Sequence, residues 1–192
     1  MTPSDQKSCE WPSNDPLMIQ YHDQEWGNPL HADQQLFEFL ILDAFQAGLS
    51  WRTILYKREN FRKAFNGFNP KKIARYSEKK ILELMGDAGI IRNKLKIMGA
   101  IENARQFLKI QEDMGSFDHY IWQFTGYKTI INRRRPGMKA PATSPESDAM
   151  SKDMRNRGFK FVGSTICYAF MQASGMVNDH LVTCYRHPEF IG

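Results

Sequence analysis

The chain has 192 residues, of which 42% are hydrophobic and 24% charged, and its formal net charge is +5. A chain of this length fits one domain with a sizeable apolar core, and a second full domain is not expected. No apolar run reaches the ~20 residues that a membrane-spanning helix needs, which excludes an integral helical membrane protein. The first residues have neither the basic start nor the apolar core of a secretory signal, so we expect a soluble, cytoplasmic protein with no membrane partner.

The three cysteines are few and odd in number. In a reducing compartment this argues against a disulfide framework, so metal binding and simple burial remain as roles. Cys167 lies among apolar residues and is expected to be buried as a small hydrophobic side chain. The positive net charge suits a polyanionic partner, although many basic proteins bind no nucleic acid.

Helix signals recur along the whole chain, and no stretch shows sustained alternation of apolar and polar residues. The fold is therefore predicted to be all-α. Capping residues, helical spacing of apolar residues and terminal glycines predict helices over residues 16–26, 33–47, 92–114, 145–157 and 164–174, further helices that start at residues 51, 70 and 78, and a last helix capped by Asn178. Residues 126–144 are rich in arginine, proline and small polar residues, which indicates a surface loop between two helical halves.

Two histidine and cysteine pairs, one near each end of the chain, form a candidate metal site. His180 and Cys184 are four residues apart on the predicted last helix, so their side chains project from one face. Cys9 and His22 could supply two further ligands and complete a Cys2His2 tetrahedron of the structural zinc type. The spacing alone also fits a histidine and cysteine pair without metal, and His187 is a rival ligand.

An aromatic residue directly after a helix break is a candidate pocket residue. Gly48 ends one predicted helix and Trp51 begins the next, where a large ring can face a pocket or pack in the core. Asp43 lies in an otherwise apolar helix, and a buried carboxylate there is costly unless it is paired or functional. A solvated helix edge is the alternative interpretation for Asp43. Other aromatic residues stand near the candidate metal ligands: Trp11, Tyr21 and Trp26.

Residues 84–91 join two predicted helices through glycines, and the second helix begins with Arg92, Lys94 and Lys96. This order suggests a helix-hairpin-helix, in which glycine lets the backbone approach a phosphate and the amides at the helix N-terminus face the anion. Lysines add affinity that does not depend on sequence. Glycine-rich links between helices are common, so the signal alone is weak. The predicted contacts to a DNA backbone come from Gly89, Ile91, Lys94 and Lys96.

Four blocks, in the same order, resemble the DNA-3-methyladenine glycosylase I family of the helix-hairpin-helix DNA glycosylase superfamily. They are DPLMIQYHDQEWG, QAGLSWRTILYKRENFRKAF, DAGIIRNKLKI and RGFKFVGSTICYAFMQASGMVNDH. The similarity extends from Cys9 to about Cys184, which is nearly the whole chain. Four ordered blocks are far more specific than any single motif.

The resemblance implies both a reaction and a cofactor. A member of this family hydrolyses the N-glycosidic bond of 3-methyladenine in alkylated double-stranded DNA, releases free 3-methyladenine and leaves an abasic site. The implied zinc ion is structural, and its four ligands close the site, so it is not expected to activate water. The chain is expected to act as a monomer. The implied ligands are Cys9, His22, His180 and Cys184.

The resemblance also implies a base pocket. Asp43 takes the catalytic position, and the implied base-binding residues are Trp51, Tyr21, Trp11 and Gln46. This chain departs from the usual family pattern at three places: Asp43 replaces a glutamate, Phe45-Gln46 replaces a pair of glutamines, and Met18 replaces a tyrosine. The pocket is therefore expected to be of the family type with a remodelled wall.

The predicted organisation is a single glycosylase unit over residues 1–192. Residues 1–32 and 145–192 are expected to pack together as a zinc-stapled subdomain, and residues 33–127 to form a helical domain with its hairpin at residues 84–96. One rival function is a zinc-stabilised protein that binds damaged DNA without cutting it. A zinc hydrolase or nucleobase deaminase is a second rival, but the chain has no His-x-Glu followed by Pro-Cys-x-x-Cys.

Overall fold

The computed structural model describes residues 8–188, which form nine α-helices, two short 3-10 helices and two short strands. Within these residues no helix is both long and apolar enough to cross a membrane. The elements in chain order are α1 Pro16–Gln24, α2 Asp33–Gln46, α3 Trp51–Ala64, a 3-10 helix Asn66–Phe68, α4 Pro70–Ile73, α5 Glu78–Gly86, α6 Lys94–Met114, α7 Phe117–Trp122, a 3-10 helix Gln123–Thr125, β1 Ile130–Ile131, α8 Pro145–Asn156, α9 Ser164–Ala173 and β2 Val177–Asn178.

Most helices begin where the sequence places a capping side chain. Asp15 accepts hydrogen bonds from the amides of Leu17 and Met18 at the start of α1, and Ser50 accepts one from the amide of Thr53 at the start of α3. Serine or asparagine side chains cap α4 to α8 in the same way. Each cap satisfies an amide that has no partner within its own helix. The mostly helical fold predicted from the sequence is confirmed.

Asp33 begins α2, as predicted, and also links two helices. It is the first residue of α2 and not its cap, which is Ala32 and makes no side-chain hydrogen bond. Its carboxylate accepts hydrogen bonds from the amides of Phe117 and Asp118, at 3.0 and 2.8 Å, at the start of α7. Asp33 thus ties α2 to α7, a short helix that the sequence did not predict.

Helix α2 lies at the centre of the molecule. Residues 36–45 within it are all buried, and it packs against α3, α6, α7 and α9. A helix buried on all sides has no solvated edge, so each polar residue in it needs a protein partner or a ligand. This placement makes Asp43 the residue of interest in α2.

The predicted last helix, capped by Asn178, is wrong. Residues 177–178 form strand β2, which pairs in parallel with β1 so that Ile130 lies opposite Val177. The chain then turns, and the side chain of Asn178 accepts a hydrogen bond from the amide of His180 at 3.2 Å. Pairing with a distant segment therefore overrides the local helix signal.

The segment over residues 126–144 is only partly the surface loop that was predicted. It contains β1, and Arg134 forms an isolated parallel bridge with Leu181. The amide of Val182 donates to the carbonyl oxygen of Arg134 at 2.8 Å. These bonds hold the segment against the part of the chain that carries His180 and Cys184.

Candidate active site and metal centre

Cys9, His22, His180 and Cys184 form one buried cluster, and their potential ligand atoms all lie within 4.8 Å of one another. The Nε2 of His22 lies 3.1 Å from Nδ1 of His180 and 3.5 Å from Sγ of Cys184. The Nδ1 of His180 lies 3.7 Å from Sγ of Cys9 and 3.6 Å from Sγ of Cys184. Two thiols and two imidazoles that converge in this way can hold a metal ion.

The second nitrogen of each imidazole has its own partner. The Nδ1 of His22 lies 2.6 Å from the carboxylate of Asp23, which also accepts a hydrogen bond from the hydroxyl of Tyr185. The Nε2 of His180 lies 3.0 Å from the carbonyl oxygen of Trp26. Because both outer partners are acceptors, each imidazole carries its proton on the outer nitrogen and directs a lone pair into the cluster.

Backbone amides and neighbouring side chains favour thiolate in the cluster. The amide of Leu181 donates to Sγ of Cys9 at 3.4 Å, and the amide of Arg186 donates to Sγ of Cys184 at 3.5 Å. Hydrogen bonding from the Cys9 thiol lowers the pKa of Cys184 well below its ordinary value, so Cys184 is the thiolate of this pair, and the same bond raises the pKa of Cys9. Thiolate is the form that binds a metal.

His187, the rival ligand, lies outside this cluster. Its Nε2 lies 3.2 Å from the carbonyl oxygen of Asn132, and the residue is fully buried. His180 and Cys184 do not share a helix face, contrary to the prediction. The amide of Cys184 donates to the carbonyl oxygen of Leu181 at 2.7 Å, and this turn brings the two side chains together.

A cavity of about 360 Å³ lies beside the cluster. This volume is within the range of small-ligand pockets. The cavity is lined by the aromatic residues Trp11, Tyr21, Trp26 and Trp51, by the polar residues Asp43, Gln46, Arg134, Lys139 and Gln172, and by Met18, Ala140 and Ala169. The five residues that the sequence analysis assigned to base binding and catalysis therefore line one cavity.

Asp43 is the buried acid of this cavity. It is 1% exposed, and its Oδ2 has no hydrogen-bond partner among the described residues. Burial raises the pKa of Asp43 well above its usual range, and the charge of Arg58 offsets this only in part. The solvated helix edge considered as an alternative is excluded. An unpaired buried carboxyl group facing a cavity is poised to meet a polar or cationic ligand.

Trp51 and Tyr21 form an aromatic wall. Their ring centroids are 5.1 Å apart with an interplanar angle of 45°, and Nε1 of Trp51 is buried without a hydrogen-bond partner within residues 8–188. Trp11 is 36% exposed and stands with its ring centroid 5.0 Å from that of Trp26. The cavity thus offers aromatic faces, an unused indole N–H and the carboxyl group of Asp43.

Two basic residues in the cavity wall were not assigned to it from the sequence. Arg134 and Lys139 belong to the segment over residues 126–144 and line the cavity with Trp51. The run of arginines was visible in the sequence, but nothing local indicated that this segment would fold back over a pocket more than 80 residues earlier in the chain.

Residues 87–93 join α5 to α6 by a turn, and two of the contacts predicted for this turn differ. The amide of Gly89 donates to Oδ1 of Asp87 at 2.7 Å, so it is already used within the turn. The ammonium of Lys57 donates to the carbonyl oxygens of Ala88 and Gly89, at 3.0 and 3.2 Å. The amide of Ile91 has no acceptor among the described residues. The turn therefore leaves Ile91, and not Gly89, with an amide available to an anion.

Lys94 and Lys96 lie on the first turn of α6 in different environments. The side chain of Lys94 is 53% exposed and lies 3.5 Å from Glu78. Lys96 is buried, and its ammonium donates to the carbonyl oxygens of Phe45 and Ala47, at 2.8 and 2.6 Å. The prediction that Lys96 contacts DNA is therefore corrected, because its charge is used at the C-terminal end of α2.

Comparison with known proteins agrees with this arrangement. The sequence profile described as methyladenine glycosylase matches residues 11–187. DNA-3-methyladenine glycosylase 1 of Escherichia coli strain K12 is 46% identical over 180 residues, which cover 94% of this chain and 96% of that protein.

Solved structures show the same likeness in three dimensions. A crystal structure of 3-methyladenine DNA glycosylase I has 46% sequence identity and a TM-score of 0.92, and the match covers 95% of this chain and 100% of that one. A tyrosine-to-phenylalanine variant of such an enzyme, in complex with 3-methyladenine, has 32% identity and a TM-score of 0.91, with 94% and 97% of the two chains covered. The chain therefore belongs to the methyladenine glycosylase family.

Proposed function

We propose that this protein is a monofunctional DNA repair glycosylase. It hydrolyses the N-glycosidic bond between deoxyribose and 3-methyladenine in alkylated duplex DNA, releases the free base and leaves an abasic site. The observation that carries the proposal is Asp43, whose carboxyl oxygen is buried in a cavity with aromatic walls and has no hydrogen-bond partner in the described part of the chain. Membership of the family and the relative in complex with 3-methyladenine support the same substrate.

A base stacked in duplex DNA cannot reach a cavity of this kind, so the target nucleotide must leave the helix and turn into the pocket. The cavity of about 360 Å³ can hold a methylated purine. The rings of Tyr21 and Trp51 provide faces on which the base can lie. Trp11 stands at the exposed side of the pocket and is suited to contact the base or its sugar.

Charge complementarity accounts for selection of the damaged base. Methylation at the 3-position makes the adenine of the nucleotide cationic, and aromatic faces attract a cation. The empty pocket favours the neutral form of Asp43, because burial raises the pKa of that carboxyl group. A cationic base beside it stabilises the ionised form, and the low local dielectric strengthens this attraction. An unmodified, neutral adenine gains none of this pairing.

The methylated base is already a good leaving group, so strong acid catalysis is unnecessary. Water attacks the anomeric carbon, and the carbon–nitrogen glycosidic bond breaks with its electron pair going to the base, which leaves as neutral 3-methyladenine. The proton lost by the water passes to solvent. Asp43 holds and orients the base and stabilises positive charge as the bond breaks. Gln46, also in the lining, is suited to hydrogen-bond the base edge.

We further propose that the four-residue cluster holds structural zinc. A tetrahedral site with metal–nitrogen distances of about 2.0–2.1 Å and metal–sulfur distances of about 2.3 Å has edges of roughly 3.3–3.8 Å between its ligand atoms. Distances of 3.1 to 3.7 Å between neighbouring ligand atoms fit this geometry. Four protein ligands close the site, so zinc would hold Cys9 and His22 to His180 and Cys184 and take no part in the reaction.

A zinc link between the two ends of the described chain supports the proposed division into a subdomain from residues 1–32 and 145–192 and a helical domain from residues 33–127, of which residues 1–7 and 189–192 lie outside the described residues. The helix-hairpin-helix at residues 84–96 is proposed to contact the DNA backbone through the amide of Ile91 and the exposed ammonium of Lys94. A monomeric state and a cytoplasmic location stay predictions.

The proposal is tested by incubating the protein with duplex DNA that carries methylated bases and identifying the released bases by chromatography and mass spectrometry. We expect 3-methyladenine in solution and an intact strand with an abasic site. Binding without base release would support the non-catalytic rival, and a released or retained base that has lost its amino group would support a deaminase.

A further inference from the structure

We propose that residues 126–144, here called the basic rim, form a second contact to the DNA backbone beside the base pocket. This segment contains five lysines and arginines and no acidic residue: Lys128, Arg133, Arg134, Arg135 and Lys139. Removing these five from the 26 basic residues of the chain leaves 21, equal to the number of aspartates and glutamates. The basic rim thus carries the whole formal net charge of the protein.

The fold places this charge at the pocket. Arg134 and Lys139 line the same cavity as Trp51. Arg134 is held by two hydrogen bonds, from Nη1 to the carbonyl oxygen of Asp179 and from Nη2 to that of Met138, both at 2.7 Å. The guanidinium of Arg134 therefore makes its hydrogen bonds within the protein and holds the basic rim in position.

The neighbouring cations face solvent. Arg133, Arg135 and Lys139 are all exposed. The bridge between Arg134 and Leu181 keeps this part of the rim extended, and side chains alternate along extended backbone, so Arg133 and Arg135 leave on the side opposite to Arg134. The exposed guanidinium of Arg135 and the exposed ammonium of Lys139, beside a pocket, suit the phosphates of a polyanion, which lie outside the base stack.

The hairpin and the basic rim are within reach of one duplex. Lys57 binds the hairpin carbonyls of Ala88 and Gly89, and it lies six residues, or about 9 Å, along α3 from Trp51 at the pocket. The rim lines that same pocket. A strand whose nucleotide turns into the pocket therefore meets the hairpin and the rim together. This inference rests on the proposed function for its ligand, DNA.

The test is the salt dependence of binding to undamaged duplex DNA, which requires no base excision. We compare the wild-type protein with the triple variant Arg133→Gln, Arg135→Gln and Lys139→Gln by fluorescence anisotropy over a series of KCl concentrations. Each phosphate contact contributes about 0.9 to the slope of log K against log salt concentration, so the slope should become shallower by about 2 to 3. For the single variant Lys139→Gln this slope should become shallower by about 1. This variant replaces the triple variant in the test if the triple variant folds poorly.

The control removes the same charge elsewhere, through Lys71→Gln, Lys72→Gln and Lys109→Gln. These lysines are exposed, and Lys109 lies roughly 22 Å along α6 from Lys94. Helix α4, which contains the other two, adjoins the same half of α6, since Arg105 donates to the carbonyl oxygen of Ala74. The control should keep a near wild-type slope. Equal slopes for the wild type and the rim variants, or equal losses in rim and control variants, would overturn the inference. Absence of base release by the wild type would refute the proposed function separately.

Discussion

The ammonium of Lys96 lies 2.6 Å from the carbonyl oxygen of Ala47, so the first turn of α6 is tied to the C-terminal end of α2. A second bond, of 2.8 Å, goes to the carbonyl oxygen of Phe45. These carbonyls belong to the end of a helix, where no backbone amide follows to pair with them and where a positive charge is favourable. Helix α2 carries Asp43 and Gln46, and α6 follows the turn that is proposed to contact DNA, so the side chain of Lys96 joins the pocket helix to this turn.

Lys96→Met should therefore impair excision more than DNA binding. Loss of the ammonium removes the donor from the buried carbonyl oxygen of Phe45 and from the partly buried one of Ala47, which should lower the free energy of unfolding by about 1–3 kcal/mol. The shift of α2 relative to α6 should reduce the single-turnover rate of base release on saturating alkylated DNA. Lys96→Arg keeps a donor and should recover part of that rate.

The matched control is Lys94→Met, two residues earlier, where the side chain is exposed. It should weaken binding to any duplex and reduce the salt slope by about 1, with stability unchanged. If Lys96→Met behaved like Lys94→Met in both assays, Lys96 would be an ordinary DNA contact and not a link between α6 and α2.

The sequence predicted the helical architecture well because caps and glycine stops act locally. It predicted the path of residues 177–184 wrongly, because pairing with residues 130–134 is set by tertiary contacts that no local pattern reveals. The spacing of His180 and Cys184 still pointed to two residues of the buried cluster, since a turn brings them together much as a helix would. Spacing alone suggested the four candidate ligands but left open whether they bind a metal, and the family resemblance implied zinc.

In the pocket, too, tertiary contacts decide what local sequence patterns could not predict. The apolar neighbours of Asp43 made it a candidate functional residue in the sequence. Only the packing of other helices around α2 shows that its carboxyl group is buried away from solvent. Lys96 was assigned to DNA because basic residues at a helix start often bind phosphate. Its position three residues after the capping Asn93 instead directs it inward to the end of α2. Lysines two residues apart on a helix point in different directions, so charge alone did not separate their roles.

Two buried histidines, His180 and His187, should differ in their effect on zinc binding. His180→Ala should abolish binding of one zinc ion per chain and lower the free energy of unfolding by several kcal/mol, because structural metal binding is linked to folding. His187→Ala removes a fully buried imidazole outside the cluster and should leave zinc content unchanged. Elemental analysis of tag-free protein and thermal unfolding measure both effects. Wild-type protein without bound zinc, or loss of zinc in His187→Ala alone, would contradict the assignment.

Gly89→Ala should weaken binding to damaged and undamaged DNA alike. A Cβ at residue 89 would lie 2.9 Å from Oδ1 of Asp87 and 3.1 Å from Cβ of Asn60, so the turn must shift. The shift would move the amide of Ile91 away from a phosphate. Such contacts position DNA without reading its bases, so the loss should not depend on the lesion.

The control for the hairpin is Gly86→Ala, since a Cβ at that glycine meets no atom within 4 Å. It should leave duplex affinity near the wild-type value. Anisotropy titrations with matched alkylated and unmodified duplexes test both variants. A loss in Gly89→Ala confined to alkylated DNA would indicate that the hairpin acts on the lesion and not on the backbone.

Asp43→Asn should stabilise the empty protein while it impairs the reaction. Burial raises the pKa of Asp43, so the folded state favours the neutral acid and the cost of ionisation grows as the pH rises from about 3.8 towards the folded pKa. The variant should therefore have a higher Tm than the wild type at neutral pH, and this difference should shrink as the pH falls towards 4. Asparagine cannot supply the negative charge that a cationic base requires.

Single-turnover release of 3-methyladenine by Asp43→Asn should fall about 100-fold or more, within the range expected when one preorganised electrostatic contact is lost. Asp43→Glu should keep activity, because the cavity of about 360 Å³ has room for one more methylene and the carboxylate remains. Asp113→Asn, which changes an exposed acid on α6, is the control for loss of one negative charge and should match the wild type in both assays.

Base release by Asp43→Asn at the wild-type rate would remove the carboxylate from the mechanism. A pH-independent difference in Tm between Asp43→Asn and the wild type would instead show that Asp43 stays ionised in the empty pocket, and selection of the cationic base would then begin from a charge already in place.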